Sequence, residues 1–423
     1  MRTPLLLLSS LLFTAVGATS CRGAGEAAQE PPPAARDTAG TAAQDCEPLE
    51  TRAPNAPDQQ PAFPGQTRAC RLTSNVALDV TVLARGLEHP WAVEPLPGGD
   101  LLVTERPGRM RIVTAAGEVG APIAGVPAVA AGGQGGLLDV ALSPDFASDR
   151  TIFWSFSEPR DGGNGTSVAR GVLSADRTSL QDVRIIVRTM PTHAGRAHFG
   201  SRLAFGPDGM LYITLGDRAE ARMRRHAQQL DSHLGKILRV RADGSAPDDN
   251  PFAGQAGARP EIWSLGHRNV QAASFDDAGR LWIVEHGTQG GDELNLIERG
   301  ENYGWPVQAF GEEYRGAPIA GASPNPEGFR QPVYYWDPVI APSGAQFYTG
   351  DLFPEWQGSL LVGGLVAQRL VRLRIEDGRV TGEEHLLADR GQRVRDVRQG
   401  PDGTLYVVTN EADGELWRIR PRR

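Results

Sequence analysis

The sequence predicts an all-β protein: a six-bladed β-propeller built from four-stranded antiparallel blades. Short apolar runs of strand type alternate with turns that contain Gly, Pro and Asp. Six such turn-and-strand units resemble one another, and long helical periodicity is missing. The turns recur at intervals of roughly 45 to 75 residues, near the length of one four-stranded blade with loop insertions. A pair of β-sandwiches and a seven-bladed propeller are the alternative architectures.

Each unit consists of a turn with Gly or Asp chemistry that leads into an apolar strand. The single stretch with a helical pattern, residues 219–233, is expected in a loop that crosses the top of a blade. A propeller presents its connecting loops around the mouth of a central channel, so residues distant in sequence can converge there. The six units are 96–104, 142–154, 205–213, 275–284, 353–362 and 399–408.

The N-terminus has the layout of a secretory signal. Arg2 precedes an apolar run that extends to Val16 and is followed by small residues. This run is too short for a convincing transmembrane span. Ala18-Thr19-Ser20-Cys21 resembles a lipoprotein cleavage box, which favours lipidation of Cys21 over an ordinary secretory signal. We therefore assign residues 1–20 to a signal peptide and expect an exported protein, either periplasmic or held at the membrane by a lipid anchor.

Residues 21–72 form a predicted tether and N-terminal arm, because they are rich in Ala, Pro, Gly and Gln and lack sustained periodicity. Cys46 and Cys70 are the cysteines that follow Cys21, and in an exported protein they favour a disulfide that pins this arm. Neither has a metal-ligand partner at Cys-x-x-Cys spacing. The propeller is assigned to residues 73–423.

Composition and motifs exclude several classes of function. The formal net charge is -8 at pH 7, and no basic stripe with interleaved aromatic residues is present, which argues against a nucleic-acid partner. The sequence has no Gly-x-Ser-x-Gly elbow, no HExxH zinc motif and no dinucleotide-binding Gly-x-Gly-x-x-Gly between a strand and a helix. A hydrolase triad cannot be assembled from the sequence.

His198 is the candidate for proton chemistry. It lies on a small-residue turn directly before the third unit, and the other units repeat the turn and strand without the histidine. A lone histidine is more often a structural hydrogen-bonding residue than a base. The functional interpretation of His198 therefore depends on polar residues at equivalent loop positions of other units.

Three further loops carry such polar residues. Gln134 lies in a glycine-rich turn, which lets the backbone approach a ligand closely, although a plain turn has the same pattern. Arg268, followed by Asn269, offers donors for a carboxylate or a carbonyl-rich ring, or for an inter-blade salt bridge. Arg393 and Arg395 are two apart and share one face of a strand. Two adjacent guanidinium groups have two interpretations, an anion bound between them or a solvated edge strand, and the sequence favours the two about equally.

A fourth loop, Glu285-His286-Gly287-Thr288 through Glu293, offers ligands of the calcium type. Acidic side chains and exposed glycine carbonyls are hard oxygen ligands. The spacing differs from that of an EF-hand loop, so the residues indicate hard oxygen ligands outside that motif.

Taken in order, these motifs resemble the soluble quinoprotein glucose/sorbosone dehydrogenases, most closely the periplasmic aldose sugar dehydrogenase branch. The resemblance runs in register from about residue 76 to the C-terminus, and a set of ordered motifs is far more specific than any one of them. The motifs are EHPWA at 88–92, GQGGLLDV at 133–140, HFGSRL at 198–203, DDNPF at 248–252, GHRNVQ at 266–271, GDELN at 291–295 through NYGWP at 302–306, and RVRDV at 393–397.

The resemblance implies a propeller that binds pyrroloquinoline quinone (PQQ) and calcium on top of its channel and oxidises aldose sugars at C1 to lactones. His198 would be the general base for the anomeric hydroxyl, and the C1 hydride would pass to the quinone. Calcium and Arg268 would stabilise the developing oxyanion. Electrons would then leave to an external acceptor, a quinone or a cytochrome.

The resemblance also implies which residues bind the cofactor and the metals. Arginine positions match contacts to the cofactor carboxylates, and other polar positions match cofactor or substrate contacts. Two backbone carbonyls match the ligands of the calcium under the cofactor, and two further residues match a second, structural calcium site. The matches to the cofactor carboxylates are Arg393 and Arg395, and the other cofactor or substrate contacts are Gln134, Arg268 and Asn269. The calcium under the cofactor is matched by Gly287 and Thr288. The second, structural calcium site is matched by Glu293 and Tyr303.

This sequence departs from the family pattern at several positions. Val366 stands where the family often has a cofactor-binding lysine, a loss that Arg369 or the arginine pair would have to offset. Thr288 replaces a usual proline. Ala197 stands where relatives place Asp or Asn beside the base, so the support of His198 must come from elsewhere. Arg218 stands where some glucose-oxidising members have glutamine, which leaves the preferred sugar open.

Three other functions compete with aldose oxidation. A propeller of the same family that has lost redox chemistry and serves as a binding module is favoured by the missing lysine. A dehydrogenase for another sugar derivative, of the sorbosone type, would use the same residues. A lactonase-type hydrolase is disfavoured because no cluster of Asn and Asp ligands around one metal stands out.

Overall fold

The computed structural model describes residues 46–422, and these residues form six antiparallel sheets arranged as a β-propeller, which confirms the predicted fold. The predicted signal peptide at 1–20, Cys21 and the first part of the predicted tether lie outside the described residues. No helix within 46–422 is long and apolar enough to cross a membrane.

Most blades consist of strands that are consecutive in the chain and pair with their neighbours through connecting turns. The first three blades contain β2 (Pro90–Pro95), β3 (Leu101–Glu105) and β4 (Arg109–Val113); β5 (Leu137–Leu142), β6 (Thr151–Arg160), β7 (Gly163–Leu173) and β8 (Leu180–Arg188); and β9 (Leu203–Phe205), β10 (Leu211–Thr214), β11 (Lys236–Val240) and β12 (Ile262–Leu265). The fourth and fifth contain β13 (Val270–Phe275), β14 (Leu281–Glu285), β15 (Asp292–Ile297) and β16 (Tyr334–Trp336); and β17 (Pro342–Phe347), β18 (Leu360–Gly364), β19 (Arg369–Glu376) and β20 (Arg379–Leu386).

The sixth blade closes the ring with both ends of the propeller. Its strands β21 (Val394–Gln399), β22 (Leu405–Thr409) and β23 (Gly414–Pro421) are joined by the N-terminal strand β1 (Leu78–Leu87). β1 pairs antiparallel with β23 from the Leu78–Pro421 pair to the Leu87–Gly414 pair. Opening the ring between the first and last blades would therefore break this ladder.

The first blade differs from the predicted four strands at its outer edge. Beyond β4, the N–H groups of Gly120 and Ile123 donate to the carbonyl oxygens of Ile112 and Met110, each at 2.8 Å. Pro122 lies between the two donors and has no N–H group of its own, so it cannot add a further bond to this edge. The fourth position of this blade is therefore filled by an irregular segment.

The six predicted turns each connect the first and second strands of a blade. The stretch with the helical pattern forms two short helices, an α-helix at Ala221–Arg224 and a 3₁₀ helix at Arg225–Gln228, in the connection between β10 and β11. The remaining short helices of the described chain are Phe146–Asp149, Pro354–Trp356 and Ala388–Arg390.

The described part of the predicted tether packs on the fourth and fifth blades. Cys46 and Cys70 form the predicted disulfide. The carboxylate of Asp337 accepts hydrogen bonds from the backbone N–H groups of Asn55 (2.5 Å) and Ala56 (3.1 Å). Arg71 forms a backbone bridge to Glu383 of β20.

The first strands of the six blades line the centre of the propeller, where they hold a central ion cluster of Asp139, Arg202, Asp396 and Arg398. Arg202 Nη1 lies 2.7 Å from Asp139 Oδ1 and 3.1 Å from Asp396 Oδ1, and all three side chains are fully buried. Arg398 Nη1 lies 3.0 Å from Asp396 Oδ1. Because buried charges are costly unless they are paired, the cluster requires its blades to meet in one register.

The fourth and fifth blades also contribute to the cluster. Arg202 Nε donates to the carbonyl oxygen of Gln271 at 3.0 Å. Gly344 of the fifth blade leaves room for the carboxylate of Asp396, because a Cβ atom at this position would lie 1.8 Å from Asp396 Oδ1. Glycine is therefore the residue type that fits beside this carboxylate.

We predict that Arg202→Met lowers the free energy of unfolding by about 3–5 kcal/mol, because it removes one of the two arginines that neutralise the buried carboxylates of Asp139 and Asp396. Urea unfolding followed by tryptophan fluorescence measures the change.

Arg280→Met is the matched control. Arg280 pairs with Asp276 at 2.7 Å, but its side chain is 48% exposed, and surface ion pairs contribute about 0–1 kcal/mol. Equal losses in the two variants would contradict a structural role of the central ion cluster.

Candidate functional site

The predicted site residues lie at one face of the propeller. The first strand of a blade begins, and the second strand ends, at the same edge because the two strands are antiparallel. Residues just before a first strand and just after a second strand therefore converge on that edge. The residues before or at the start of first strands are Gln134, His198, Arg268, Asn269, Arg393 and Arg395, and those after a second strand are Gly287 and Thr288.

The loop that carries His198 has an unusual backbone. His198 has φ 49°, Gly200 has φ 64° and Ser201 has φ 96°, and residues other than glycine rarely adopt such positive φ angles. A Cβ atom at Gly200 would lie 2.5 Å from the Cα atom of Leu215, so glycine is required there. The small residues of this motif thus let the loop pack closely against the end of β10.

Polar side chains from two neighbouring blades hold this loop. The Oε1 atom of Gln134 accepts a hydrogen bond from the N–H group of His198 at 2.7 Å. The Oδ1 atom of Asn269 accepts one from the N–H group of Gly200 at 3.2 Å. Both predicted ligand-contact residues therefore fix the backbone around His198 through their oxygen atoms, while neither side-chain amide NH₂ group donates a hydrogen bond within the described chain.

Asp217 orients the ring of His198. Its Oδ1 atom lies 2.7 Å from His198 Nδ1, and its Oδ2 atom accepts a hydrogen bond from Trp305 Nε1 at 2.8 Å. Oδ1 also accepts the N–H group of Ala219 at 2.7 Å. An ionised Asp217 requires the proton on Nδ1, which leaves Nε2 of the imidazole as the free acceptor. The support that Ala197 cannot provide thus comes from Asp217.

Electrostatics keep this pair as a neutral imidazole and a carboxylate. Burial and the nearby charge of Arg268 lower the pKa of His198 below 6.5, although the hydrogen bond to Asp217 acts in the opposite direction. Burial alone would raise the pKa of Asp217, but the hydrogen bond from His198 and the charge of Arg268 lower it overall. At neutral pH His198 is therefore uncharged and able to accept a proton.

A cavity of about 160 Å³ lies at the top of the channel beside this loop. The rings of Trp91 and Phe199 line it, together with His286. No aspartate or glutamate lines the cavity within the described chain. The polar residues that line it include Arg106, Gln134, Asn269, Gln271, Arg393, Arg395 and Asn410.

Three arginines face this cavity without a carboxylate partner there. Burial and the charges of Arg106, Arg202 and Arg393 lower the pKa of Arg395 to about 9. The buried Nε atoms of Arg106 and Arg395 have no hydrogen-bond partner among residues 46–422. Buried donors are normally satisfied, so these groups fit an anionic ligand with several acceptor atoms.

A second, smaller cavity, of about 10 Å³, adjoins the first. Gly287, Thr288 and Arg268 line it, and His286 lines both cavities. The carbonyl oxygens of Gly287 and Thr288 accept no hydrogen bond from any described residue, and Thr288 Oγ1 is buried without a partner. These oxygen atoms fit a hard cation.

Glu293 and Tyr303 line the same small cavity. Burial and the neighbouring carboxylate of Glu285 raise the pKa of Glu293 well above its ordinary value. The Tyr303 hydroxyl is already engaged, because it donates to Leu296 O at 2.7 Å and accepts from Glu298 N at 2.8 Å. The backbone carbonyl of Tyr303 is therefore the atom available to a cation. No group of three or more His, Cys, Asp or Glu side chains suited to a metal exists within residues 46–422, so backbone oxygens would complete any such site.

Two residues singled out by the sequence lie elsewhere. Arg369 does not line the central cavity; its Nη1 atom lies 2.7 Å from His385 Nδ1, and its Nε atom donates to Ala367 O at 2.8 Å. It therefore does not offset the missing lysine at Val366, whose side chain is 58% exposed. Arg106, which the sequence argument did not identify, is the additional cation in the cavity wall.

Arg218 is buried behind the His198 loop and does not face the cavity. Its Nε atom donates to the carbonyl oxygen of Ala197 at 3.1 Å, and its guanidinium lies 4.0 Å from the centre of the Phe199 ring. Nη2 donates to Asn164 Oδ1 at 2.7 Å. Arg218 thus contacts Ala197 and Phe199, the residues on both sides of His198.

A hydrogen-bonded Ser-His-Glu arrangement lies below the site. Ser264 Oγ is 2.9 Å from His267 Nε2, and His267 Nδ1 is 3.0 Å from Glu285 Oε1. Ser264 and His267 are fully buried, so no substrate can reach the serine. Glu285 Oε2 also accepts the N–H group of Arg268 at 2.6 Å. The arrangement therefore supports the Arg268 backbone rather than a hydrolase site.

Comparisons with known proteins place the chain among sugar dehydrogenases. The family model "Glucose / Sorbosone dehydrogenase" matches residues 87–418. The chain is 46% identical over 349 residues to aldose sugar dehydrogenase YliI of Escherichia coli, covering 82% of this chain and 93% of that protein. It is 28% identical over 414 residues to quinoprotein glucose dehydrogenase B of Acinetobacter calcoaceticus, covering 79% and 86%.

A solved structure supports the same relationship. The PQQ-bound form of aldose sugar dehydrogenase from Streptomyces coelicolor superposes with a TM-score of 0.67 at 32% identity, covering 83% of this chain and 100% of that chain.

We predict that the pKa of His198 lies below 6.5 and that Asp217→Asn lowers it further, because the carboxylate is the group that favours the imidazolium. NMR titration of protein labelled with ¹³C at the histidine Cε1 position measures both values, with His198→Gln identifying the resonance. A higher pKa in Asp217→Asn would contradict this account.

Proposed function

The chain belongs to the glucose/sorbosone dehydrogenase family, and we propose that it oxidises aldose sugars at C1 to lactones with PQQ and calcium as cofactors. The observation that carries the proposal is the pairing of two features on one face of the propeller. One is a cavity that, within the described chain, is lined by arginines and by no acidic residue. The other is a neutral, oriented histidine, His198, whose neighbours Phe199 and Gly200 line that cavity.

Arg106, Arg393 and Arg395 would hold the carboxylates of PQQ, and Gln134 and Asn269 would direct their amide NH₂ groups toward it. The unpartnered Nε atoms of Arg106 and Arg395 support this assignment. When bound, the quinone supplies the two-electron oxidant that takes up hydride from C1 of the sugar. A homologous structure with PQQ bound supports the choice of cofactor.

His198 is proposed as the general base. Its Nε2 atom would accept the proton of the anomeric hydroxyl, while Asp217 holds Nδ1–H and stabilises the imidazolium that results. Arg268, whose buried Nε atom has no partner within the described chain, would stabilise negative charge on the sugar oxygen.

Calcium is proposed in the small cavity, on the carbonyl oxygens of Gly287 and Thr288. A second, structural calcium would be held by Glu293 and the carbonyl oxygen of Tyr303. The raised pKa of Glu293 supports this second site, because a cation would let the buried carboxylate ionise.

The N-terminal sequence favours action outside the cytoplasm, with Cys21 as a lipid anchor. Electrons would then pass from the reduced cofactor to an external quinone or cytochrome.

Reconstitution tests the proposal. Protein loaded with PQQ and calcium should reduce a dye in the presence of aldoses, and removal of calcium with EGTA should abolish the activity. His198→Ala should lower turnover by roughly 10²- to 10⁴-fold, the usual contribution of a positioned base, while PQQ titration remains unchanged.

The absence of PQQ binding at high calcium would overturn the enzymatic assignment. Cofactor binding without turnover of any aldose would favour the non-catalytic binding module, and full turnover by His198→Ala would exclude His198 as the base.

Arg395→Met should raise the Kd for PQQ by about 10- to 100-fold, because it removes a charge-assisted hydrogen bond to the cofactor. Fluorescence titration with PQQ in the presence of calcium measures the change. Arg369→Met is the matched control, since Arg369 follows the strand that lacks the family lysine but does not line the cavity. If Arg369→Met lowered the affinity for PQQ more than Arg395→Met did, Arg369 rather than Arg395 would be the cofactor-binding residue.

A further inference from the structure

Tyr314 is a large aromatic side chain exposed beside the candidate site. Its exposure is 69%, the highest among the exposed large hydrophobic residues of the described chain. Arg268 Nη2 lies 3.4 Å from its hydroxyl oxygen. Arg268 also lies over the ring of Trp305, which donates to Asp217, the partner of His198. The exposed ring is therefore connected directly to the proposed catalytic residues.

The turn that carries Tyr314 is fixed from both sides. The N–H group of Gly316 donates to Glu313 O at 2.8 Å, which makes residues 313–316 a β-turn. The Glu313 carboxylate pairs with Arg224, with Nη2 and Oε2 3.0 Å apart. Glu312 exchanges two backbone hydrogen bonds of 2.9 Å with Gln289, next to the proposed calcium ligands. These contacts therefore hold the exposed Tyr314 ring in a fixed position.

Other aromatic rings around the site are covered by guanidinium groups. Arg224 and Arg268 lie 5.4 and 5.3 Å from the centre of Trp305. Phe199 is covered in the same way by Arg218. Trp91, which lines the cavity, lies beneath Arg202 and Arg395 at 4.4 and 5.7 Å. Of these rings, that of Tyr314 is exposed to solvent, whereas Trp91, Phe199 and Trp305 are buried.

We propose that Tyr314 is the platform on which the pyranose ring of the substrate stacks, and that it sets the affinity for the sugar. An aromatic face suits the C–H face of a pyranose, while the hydroxyl groups of the sugar remain free for polar partners. A sugar stacked there would have its polar edge beside Arg268, on the side of His198. This inference rests on the proposed function, because it assigns the substrate contact of the same site.

Binding of 1,5-anhydroglucitol to the PQQ- and calcium-loaded protein tests the platform without turnover. This pyranose lacks the anomeric hydroxyl, so it cannot undergo the proposed reaction. Saturation-transfer NMR titration should give a Kd that rises about 10-fold in Tyr314→Ala and changes less than about 3-fold in Tyr314→Phe, which keeps the ring. Arg315→Ala, in the same turn, should bind as the parent does.

Steady-state kinetics on an oxidised aldose provide the second readout. Tyr314→Ala should raise KM with kcat within about 3-fold, because a stacking contact stabilises ground state and transition state alike. Unchanged affinity in Tyr314→Ala, an equal loss in Arg315→Ala, or no binding of 1,5-anhydroglucitol to the parent would overturn the platform. Ring-dependent binding without oxidation of any aldose would retain the platform and overturn the proposed function instead.

Discussion

The central ion cluster is the constraint on which the rest of this propeller depends. Asp139, Arg202 and Asp396 come from three different blades and are fully buried, so each charge is tolerable only while the others are in place. The pairing fixes the relative height of the first strands, and Arg202 lies four residues beyond His198. A shift of one blade would therefore break ion pairs at the centre and displace His198, the proposed base, at the rim.

Charge is divided between two levels of the channel. At the centre, Arg202 and Arg398 are matched by carboxylates, whereas the cavity above contains arginines and no acid within the described chain. The division follows position along the strand, because Arg393 and Arg395 lie just before and at the start of β21, whereas Asp396 and Arg398 lie further along it. The ring of Trp91 contacts an arginine of each level, because its centre lies 4.4 Å from the guanidinium of Arg202 and 5.7 Å from that of Arg395. The balanced lower level lets the upper one remain cationic.

Most of the fold was predictable from the sequence, since turn chemistry and strand-type runs are local signals that six blades repeat. The position of the candidate site residues just before first strands was predictable for the same reason. Asp217 was not identified, although it follows the second strand of the blade that His198 precedes, at the same edge. The surroundings of Arg218 and Arg369 could not be predicted, because sequence position cannot show whether an arginine faces a cavity or packs beneath a loop. Tyr314 lies in an irregular insertion that no repeat predicts.

Arg268 links the parts of the site that the sequence places far apart. Its Nη1 atom donates to His286 O at 3.2 Å, beside the loop of the proposed calcium ligands, and its charge helps to lower the pKa of His198. The same guanidinium reaches Tyr314 on the solvent side. In the proposed reaction a fixed cation here would act in two compatible ways, because it keeps the imidazole neutral beforehand and would favour negative charge on a substrate oxygen during the reaction. The charge that keeps the proposed base able to accept a proton would thus also stabilise the oxygen from which that proton is taken.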